Sequence, residues 1–549
     1  MRIAVAASAD GGGALRPLAE DGTPTGPVER VTDLAEAMRA READSPRWVW
    51  PSTARVHPRL VRAGLRVGRC HDLELAEGLL LGHAGRYGEP RSVRAAYARL
   101  HGLPVPADPR PPEEVSPQGS LFDDDAGAAD DDDIDQIVEA HADQQRRIAA
   151  LDGFTLLVAA ESAGALAAAE MSFDGLPWSV TEHDELLTEM LGPRPSSGFR
   201  PRKLQDLADR INAAFGARTH VNPDSPAQIV KAFSAAGFSL TSTRAHVLKQ
   251  IDHPAVPLLL EYKELARLHT AHGWAWLDAW VHDGRFRPEF VVGGVVSGRW
   301  ATNGGGALQI PRVLRKAVVA DPGWSLVVAD AAQLEPRVLA ALAGDRAFAK
   351  AAAQGDLYAA LSDAFGGAEG ARDKAKIALL SAMYGGGTGE AVQLLAILKS
   401  RFPDAFEYVE AAARAGERGQ LVRSRLGRTC PPPSAAWREL TSTGDDGNAA
   451  SALRSRGRFT RNFVVQATAA DWALALLASL RRRLHVLGEP HLVFFQHDEV
   501  IVHAPDELTG KVSDAIRESA EEAGRLLFGR TPVVFPMEIA AVTRYSDAK

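Results

Sequence analysis

Two cysteines in 549 residues, Cys70 and Cys430, offer no disulfide framework and no metal-ligand spacing. A reducing, cytoplasmic setting is therefore expected. The start, MRIAVAASADGGG, lacks a basic segment followed by a long apolar core, which argues against secretion. No apolar run reaches the length needed to span a bilayer, so no membrane role is expected. What remains is ordinary globular composition, 46% hydrophobic and 24% charged. A chain of this length should divide into roughly three or four domains.

An overall basic excess is missing too, since the net charge is -8. Mapping the charge changes its meaning. Residues 106–135 hold eleven acidic residues and one Arg, a local charge of -10, so the rest of the chain carries +2. The acidity belongs to one segment and says little about the remaining surface. That segment is rich in Pro, Gly and Asp and nearly free of apolar residues, the composition of a disordered insert.

Residues 1–105 read as a small α/β unit opened by an apolar strand, Arg2–Ala7, and helical periodicity resumes over Ile134–Leu151. From about 155 to 290 the pattern is mostly helical. NPDSPAQIVKAF carries a Ser-Pro helix start, and PAVPLLLEYKELARLHTAHGWAWLDAWV reads as one long helix. After 290, short β-type runs (PEFVVGGVVSG, SLVVAD, HLVFFQ, EVIVHAP) alternate with long Ala-rich helices.

Two of these runs end in acids. Ser325–Asp330 is a buried-type strand ending in a carboxylate, followed by AAQLEPRVLAALAGD, which opens a helix. In FFQHDEVIV two apolar strands meet at a polar tip, and a tight turn would present His497, Asp498 and Glu499 together. Taken singly, each acid reads as a helix cap or turn former. If the strands are neighbours, two like charges at one sheet edge call for a cation, and hard oxygen ligands select Mg²⁺. A pair of such ions suits in-line phosphoryl displacement.

Between the strands lies RDKAKIALLSAMYGG. Arg372, Lys376, Leu380 and Tyr384 recur every four residues and share one helix face, which ends at a glycine stop. Beside a metal site that face could grip a triphosphate with its cations and a sugar and base with its lower half.

These motifs together resemble the family A DNA polymerases, the DNA polymerase I family. DAAQLEPR is similar to the first palm motif, DYSQIELR; the RDKAKIALLSAMYGG helix to the fingers motif; and QHDE to the second palm motif, VHDE. SGRWATNGGGALQIPR, RFTRNFVVQATAADW and VRSRLGRTCPPP resemble further polymerase segments, while SPAQIVKAF and LEYKELARLHT look like the thumb. The likeness covers roughly residues 150–549. It implies an α/β multi-domain fold: a right-hand palm, fingers and thumb, preceded by an RNase H-like α/β exonuclease-type domain. The boundaries expected are 1–105 with 136–155 for the exonuclease-like domain, 106–135 for the insert and 156–290 for the thumb and connecting helices. The palm would take 291–345 and 458–549, and the fingers 346–457.

The resemblance also implies roles. Two Mg²⁺ ions would be held by Asp330, Asp498 and the carbonyl of Ala331, with Glu499 a supporting carboxylate near the primer end. Lys376 and Arg372 would bind the incoming triphosphate, with Lys376 as the acid for the leaving pyrophosphate. Gln333, Glu335, Tyr358, Leu380 and Tyr384 would complete the nucleotide site, with Glu335 excluding a ribose 2′-OH. Arg299, Arg458, Asn462, Gln466 and His497 would contact primer and template. Ala331, Ala332 and Pro336 depart from the family pattern, as do Leu380, in place of Phe or Tyr, and Tyr358, in place of His. None of these removes a metal ligand.

In the first domain the resemblance finds no nuclease carboxylates. RIAVAA lacks an Asp-x-Glu, His57 stands where an Asp would, and EAHADQQRRIAAL offers His141 and Gln145 for a Tyr and an Asp. A structural remnant without proofreading is expected, and the length leaves no room for a 5′ nuclease domain. Gln118, Leu121 and Phe122 resemble the peptide by which bacterial polymerases bind the sliding clamp. The expected partners are thus primer-template DNA, dNTPs and the clamp, for a nucleoid-associated monomer. Two competing readings are a single-subunit RNA polymerase and a non-catalytic DNA-binding relative. Glu335 and the LEYKELARL helix argue against the first, and the paired carboxylates against the second.

Overall fold

The apolar run RIAVAA is covered on both faces, and it forms β1 (Arg2–Ala7), the central strand of a five-stranded mixed sheet. In this computed structural model, residues 1–109, 133–196, 198–216, 220–362, 370–385, 390–442 and 446–548 are described. Gln118, Leu121 and Phe122, with most of the acidic segment, lie outside them. The sheet also contains β2 (Gly13–Leu18), β3 (Glu29–Val31), β4 (Arg47–Trp50) and β5 (Arg69–Asp72), in the order β3-β2-β1-β4-β5. β1 pairs antiparallel with β2 and parallel with β4, and β4 is parallel to β5. Strand alternation then sorts the core. Ile3, Val5, Trp48 and Trp50 face one cluster, while Ala4, Ala6 and Val49 face another with Ile137 and Val138.

Contacts divide the chain into two compact units, one of residues 1–173, 290–301 and 327–540, the other of 174–289, 302–326 and 541–549. Besides the N-terminal sheet, there is a four-stranded sheet, most of whose residues belong to the first unit; its strands run, edge to edge, His491–Gln496, Glu499–Pro505, Trp324–Ala331 and Met537–Val542. Sequentially distant SLVVAD and EVIVHAP are thus neighbours, which is what the paired-carboxylate reading required. A 42-residue helix, Asp446–Leu487, packs against the Pro403–Glu417 and Thr509–Phe528 helices.

That helix and Phe154–Asp174 correct the expectation about apolar runs. Both are long and apolar enough to cross a membrane by length and composition, through runs of alanine, leucine and valine. Yet 89% and 72% of the apolar windows are buried, as in the core helices of a globular unit.

In the second unit the expected single helix over 254–281 is broken. Ala255–His272 and Trp274–Trp280 are separate helices, because Gly273 leaves the helical region with ψ -167°. A Cβ there would lie 2.2 Å from the His269 carbonyl oxygen. The Ser-Pro start is as expected, with Ser225 capping Pro226–Ala235 through the Gln228 amide. Around Trp178, the indole donates to His183 Nδ1 at 3.2 Å, and the ring packs on Trp276 and Phe286.

Candidate active site

Asp330 is the penultimate residue of the Trp324–Ala331 strand, whose preceding residues Leu326–Ala329 are buried. The hydrophobic strand carries the carboxylate to the sheet edge and ends there. Asp498 arrives from the hairpin, where Gln496 pairs with Glu499 and leaves a two-residue turn of His497 and Asp498. The turn is tighter than an ordinary hairpin turn. The Asp498 amide donates to the Gln496 carbonyl at 2.7 Å, and His497 between them has φ +60°. An i→i+2 bond across a positive φ is a strained γ-turn. The two acids are tied by backbone: the Ala331 amide donates to the Asp498 carbonyl at 3.1 Å.

Glu499 corrects the expectation of three side chains on one tip. As the first residue of a strand buried throughout, it is itself 5% exposed, so only His497 and Asp498 form the tip. Strand alternation turns it away from its neighbour.

An open cleft of about 220 Å³ faces this edge, lined by Arg299, Gln333, Glu335, Pro336, Tyr384 and Ala470 along with His497 and Asp498. Glu335 is its hub. It accepts from Arg299 Nη2 and from the Tyr384 hydroxyl. Burial, then the Glu335 carboxylate, pushes the Tyr384 phenol well up, and a bond from Gln466 offsets part of that. Partial desolvation, with the Arg299 charge beside it, lowers the His497 imidazole. Arg458, Asn462, Gln466 and Ala470 follow one another at four-residue spacing on the long helix. They form a stripe leading into the cleft.

Tyr384 ends the Ala371–Tyr384 helix, stopped by Gly385 in the left-handed region with φ +65°. A Cβ on Gly385 would sit 3.0 Å from Arg458 Cγ, so the stop also lets the two helices close up. On this helix Lys376 is exposed and Leu380 half-buried. Arg372 donates through Nε to Asp356 at 2.8 Å and lies over the Tyr358 ring, 5.7 Å from its centroid. Tyr358 itself is 7% exposed, and burial raises its phenol.

Protein groups engage the amide of Gln333, a residue expected in the nucleotide site. Nε2 donates to Asp356 at 2.8 Å, and Oε1 accepts from the Leu357 amide at 2.8 Å and from Arg337 at 3.3 Å. It lines the cleft with its backbone in the left-handed region.

Sequence reasoning overlooked three supports. Arg337 is fully buried and donates to the carbonyls of Ala332, Ala352, Gln354, Gly355 and Val534, pinning the segment after the first acid to the segment before Tyr358. Its position four residues after Gln333 was the available signal. Asp356 was legible only as a helix cap. Burial pushes its carboxyl up, but bonds from Arg372, Ala359 and Gln333 outweigh this and leave it at about 2. Beneath the Arg299 turn, Arg428 bridges Asp471 at 2.8 Å and Glu161 at 2.7 Å. Gly298, at φ +87°, leaves room for it, since a Cβ would meet Arg428 Nε at 2.4 Å.

Among the described residues no group of three or more acidic, His or Cys side chains converges on one point. A hard cation at this edge would rest on Asp330 and Asp498, with backbone, water or substrate oxygens completing its shell. That donor set fits Mg²⁺, which keeps waters and shares carboxylates with phosphates.

This is the fold of a right-hand polymerase, with palm, fingers and thumb. A solved structure, the POL domain of Pol1 from M. smegmatis in complex with DNA primer-template and dNTP, superposes with a TM-score of 0.72. It shares 19% identity, and the match covers 99% of this chain and 95% of that one. The sequence profile of DNA polymerase family A matches residues 199–543, and the chain belongs to that family. DNA polymerase I of Chloroflexus aurantiacus is 26% identical over 357 residues, 58% of this chain and 37% of that protein. The thermostable DNA polymerase I of Thermus filiformis is 28% identical over 313 residues, 52% and 35% respectively. The match thus spans little more than a third of the length of these relatives.

Proposed function

We propose that the chain is a template-directed DNA polymerase that adds deoxynucleotides to a primer 3′ end. The observation carrying this reading is the Ala331–Asp498 backbone bond, which joins two acid-bearing segments 167 positions apart at the rim of a cleft also lined by Tyr384, the last residue of the helix that carries Arg372 and Lys376. A site for DNA binding alone would need cations and no such pair.

Asp330 and Asp498 would hold two Mg²⁺ ions with the Ala331 carbonyl. When bound, the ions would supply charge stabilisation for an in-line displacement at phosphorus. The protein's own groups do the rest. Arg372 and Lys376 bind the triphosphate, and Lys376, exposed on the helix, donates a proton to the departing pyrophosphate. Tyr384 is held by Glu335 on the cleft wall, and the Glu335 carboxylate crowds a ribose 2′-OH. Arg299, His497 and the stripe of Arg458, Asn462 and Gln466 carry the primer-template. The minor groove offers acceptors shared by all correct pairs, which suits an enzyme that accepts every sequence.

The first domain is read as a scaffold without proofreading. His57 is buried and donates to Glu170 at 2.9 Å, and Glu170 is gripped by Arg481. Clamp binding through Gln118, Leu121 and Phe122 belongs to the same proposal, and deleting them should abolish clamp-stimulated synthesis while leaving basal extension.

The test is extension of a labelled primer with Mg²⁺. Wild type should extend with dNTPs far better than with NTPs, and EDTA should stop it. Preferential use of NTPs would favour an RNA polymerase instead. A 3′-labelled primer incubated without dNTPs should stay intact.

A further inference from the structure

Asp356 divides its two oxygens between different tasks. Oδ1 accepts from Gln333 Nε2 at 2.8 Å and from the Tyr358 and Ala359 amides at 3.0 and 3.1 Å, capping the Leu357–Leu361 helix. Oδ2 accepts the Nε–H of Arg372 at 2.8 Å. A guanidinium carries five donors in a planar fork, and a grip on Nε leaves the Nη edge clear. Among the described residues neither Nη group of Arg372 has a hydrogen-bond partner. The guanidinium also lies over the Tyr358 ring, whose phenol is nearly buried and whose face forms a floor. Asp356 in turn is fixed from behind, because Gln333 is bonded to Arg337, the fully buried arginine that ties five carbonyls together.

We propose that Asp356 is a positioning residue: it holds Arg372 by Nε over Tyr358 so that both Nη groups face the polyphosphate of the incoming nucleotide. This rests on the polymerase reading. It also gives Tyr358 a use that a phosphate-contacting histidine would not have, as the platform under an arginine. A chain of contacts, Arg337 to Gln333 to Asp356 to Arg372, then carries the geometry of the carboxylate strand to the cationic helix.

Asp356→Asn isolates the claim. Asn caps helices as well as Asp does, so the Oδ1 contacts persist, while an amide NH₂ replaces Oδ2 and opposes the Nε–H. In single-nucleotide incorporation the dNTP KM should rise about five- to tenfold with kcat changed by less than about twofold. Arg372→Ala should raise KM at least as much, and adding Asp356→Asn to it should change nothing further. Calorimetry with inorganic tripolyphosphate provides a reading independent of catalysis, in which D356N should weaken binding in the wild-type background only. An unchanged or lowered KM, additive effects in the double variant, or a fall in kcat as large as the rise in KM would each overturn the proposal. Wild type failing to extend primers would overturn the polymerase reading instead, and the tripolyphosphate comparison would still decide the role of Asp356.

Discussion

At the N-terminal sheet, polar side chains are buried and paired with protein. His57 bonds to Glu170, His71 to Gln144 at 3.0 Å, and Arg2 reaches His141 at 3.1 Å. At the palm sheet, Asp498 and His497 stand on a turn at an open cleft, beside the strand end that carries Asp330. Both regions put polar residues near strand ends of an α/β sheet, yet only at the palm sheet do they line a cleft. Each of these buried histidines gives one ring nitrogen to a protein partner, while Nδ1 of His57 and of His141 has no partner among the described residues. At the cleft rim the backbone accepts strain to present its side chains, as His497 does at φ +60°. Substitutions in the first set should therefore alter stability, and in the second, activity.

The largest expected stability effect is at the buried triad. Arg428→Met leaves Glu161 and Asp471 without their cation and should cost about 3–5 kcal/mol in denaturant unfolding. A loss under about 1 kcal/mol would mean that water reaches the network. Next comes acid sensitivity. Burial lowers His71 to about 4 and lowers His57 and His141 in the same direction. These histidines fold neutral, so their contribution is fully present above the unfolded value near 6.5 and is lost as pH falls towards 4. His71 alone should account for about 3 kcal/mol of that loss, and His71→Asn should flatten the curve between those limits.

A smaller effect is expected at Glu170, whose carboxyl burial would raise but Arg481 and His57 hold well below the usual range. Glu170→Gln should destabilise by about 2 kcal/mol and leave primer extension per folded molecule intact. The smallest effect has the opposite sign. His497→Gly relieves the positive φ and should stabilise by about 1 kcal/mol while weakening primer-template binding, read by fluorescence anisotropy. If that variant gained stability without losing affinity, the contrast between the two regions would fail at its sharpest point.

Much of the site was legible because its signals are local. Alternation and apolar runs located the strands ending at Asp330 and flanking Asp498, and four-residue spacing put Arg372, Lys376, Leu380 and Tyr384 on one helix, Ala371–Tyr384. What stayed hidden depends on partners remote in sequence. Glu499 turns inward because the turn is only two residues long, and Gln333 is captured by Asp356, 23 residues on. Arg428 reads as a surface cation until Glu161, 267 residues away, is beside it. The break at Gly273 was misread because a lone glycine inside an apolar stripe is often tolerated within a helix.

The account stands most directly on the carboxylate pair. Asp330→Asn and Asp498→Asn keep shape and remove charge, so both should melt within about 2 °C of wild type while single-nucleotide incorporation with Mg²⁺ falls by about a thousandfold or more. Incorporation within tenfold of wild type in either folded variant would contradict it.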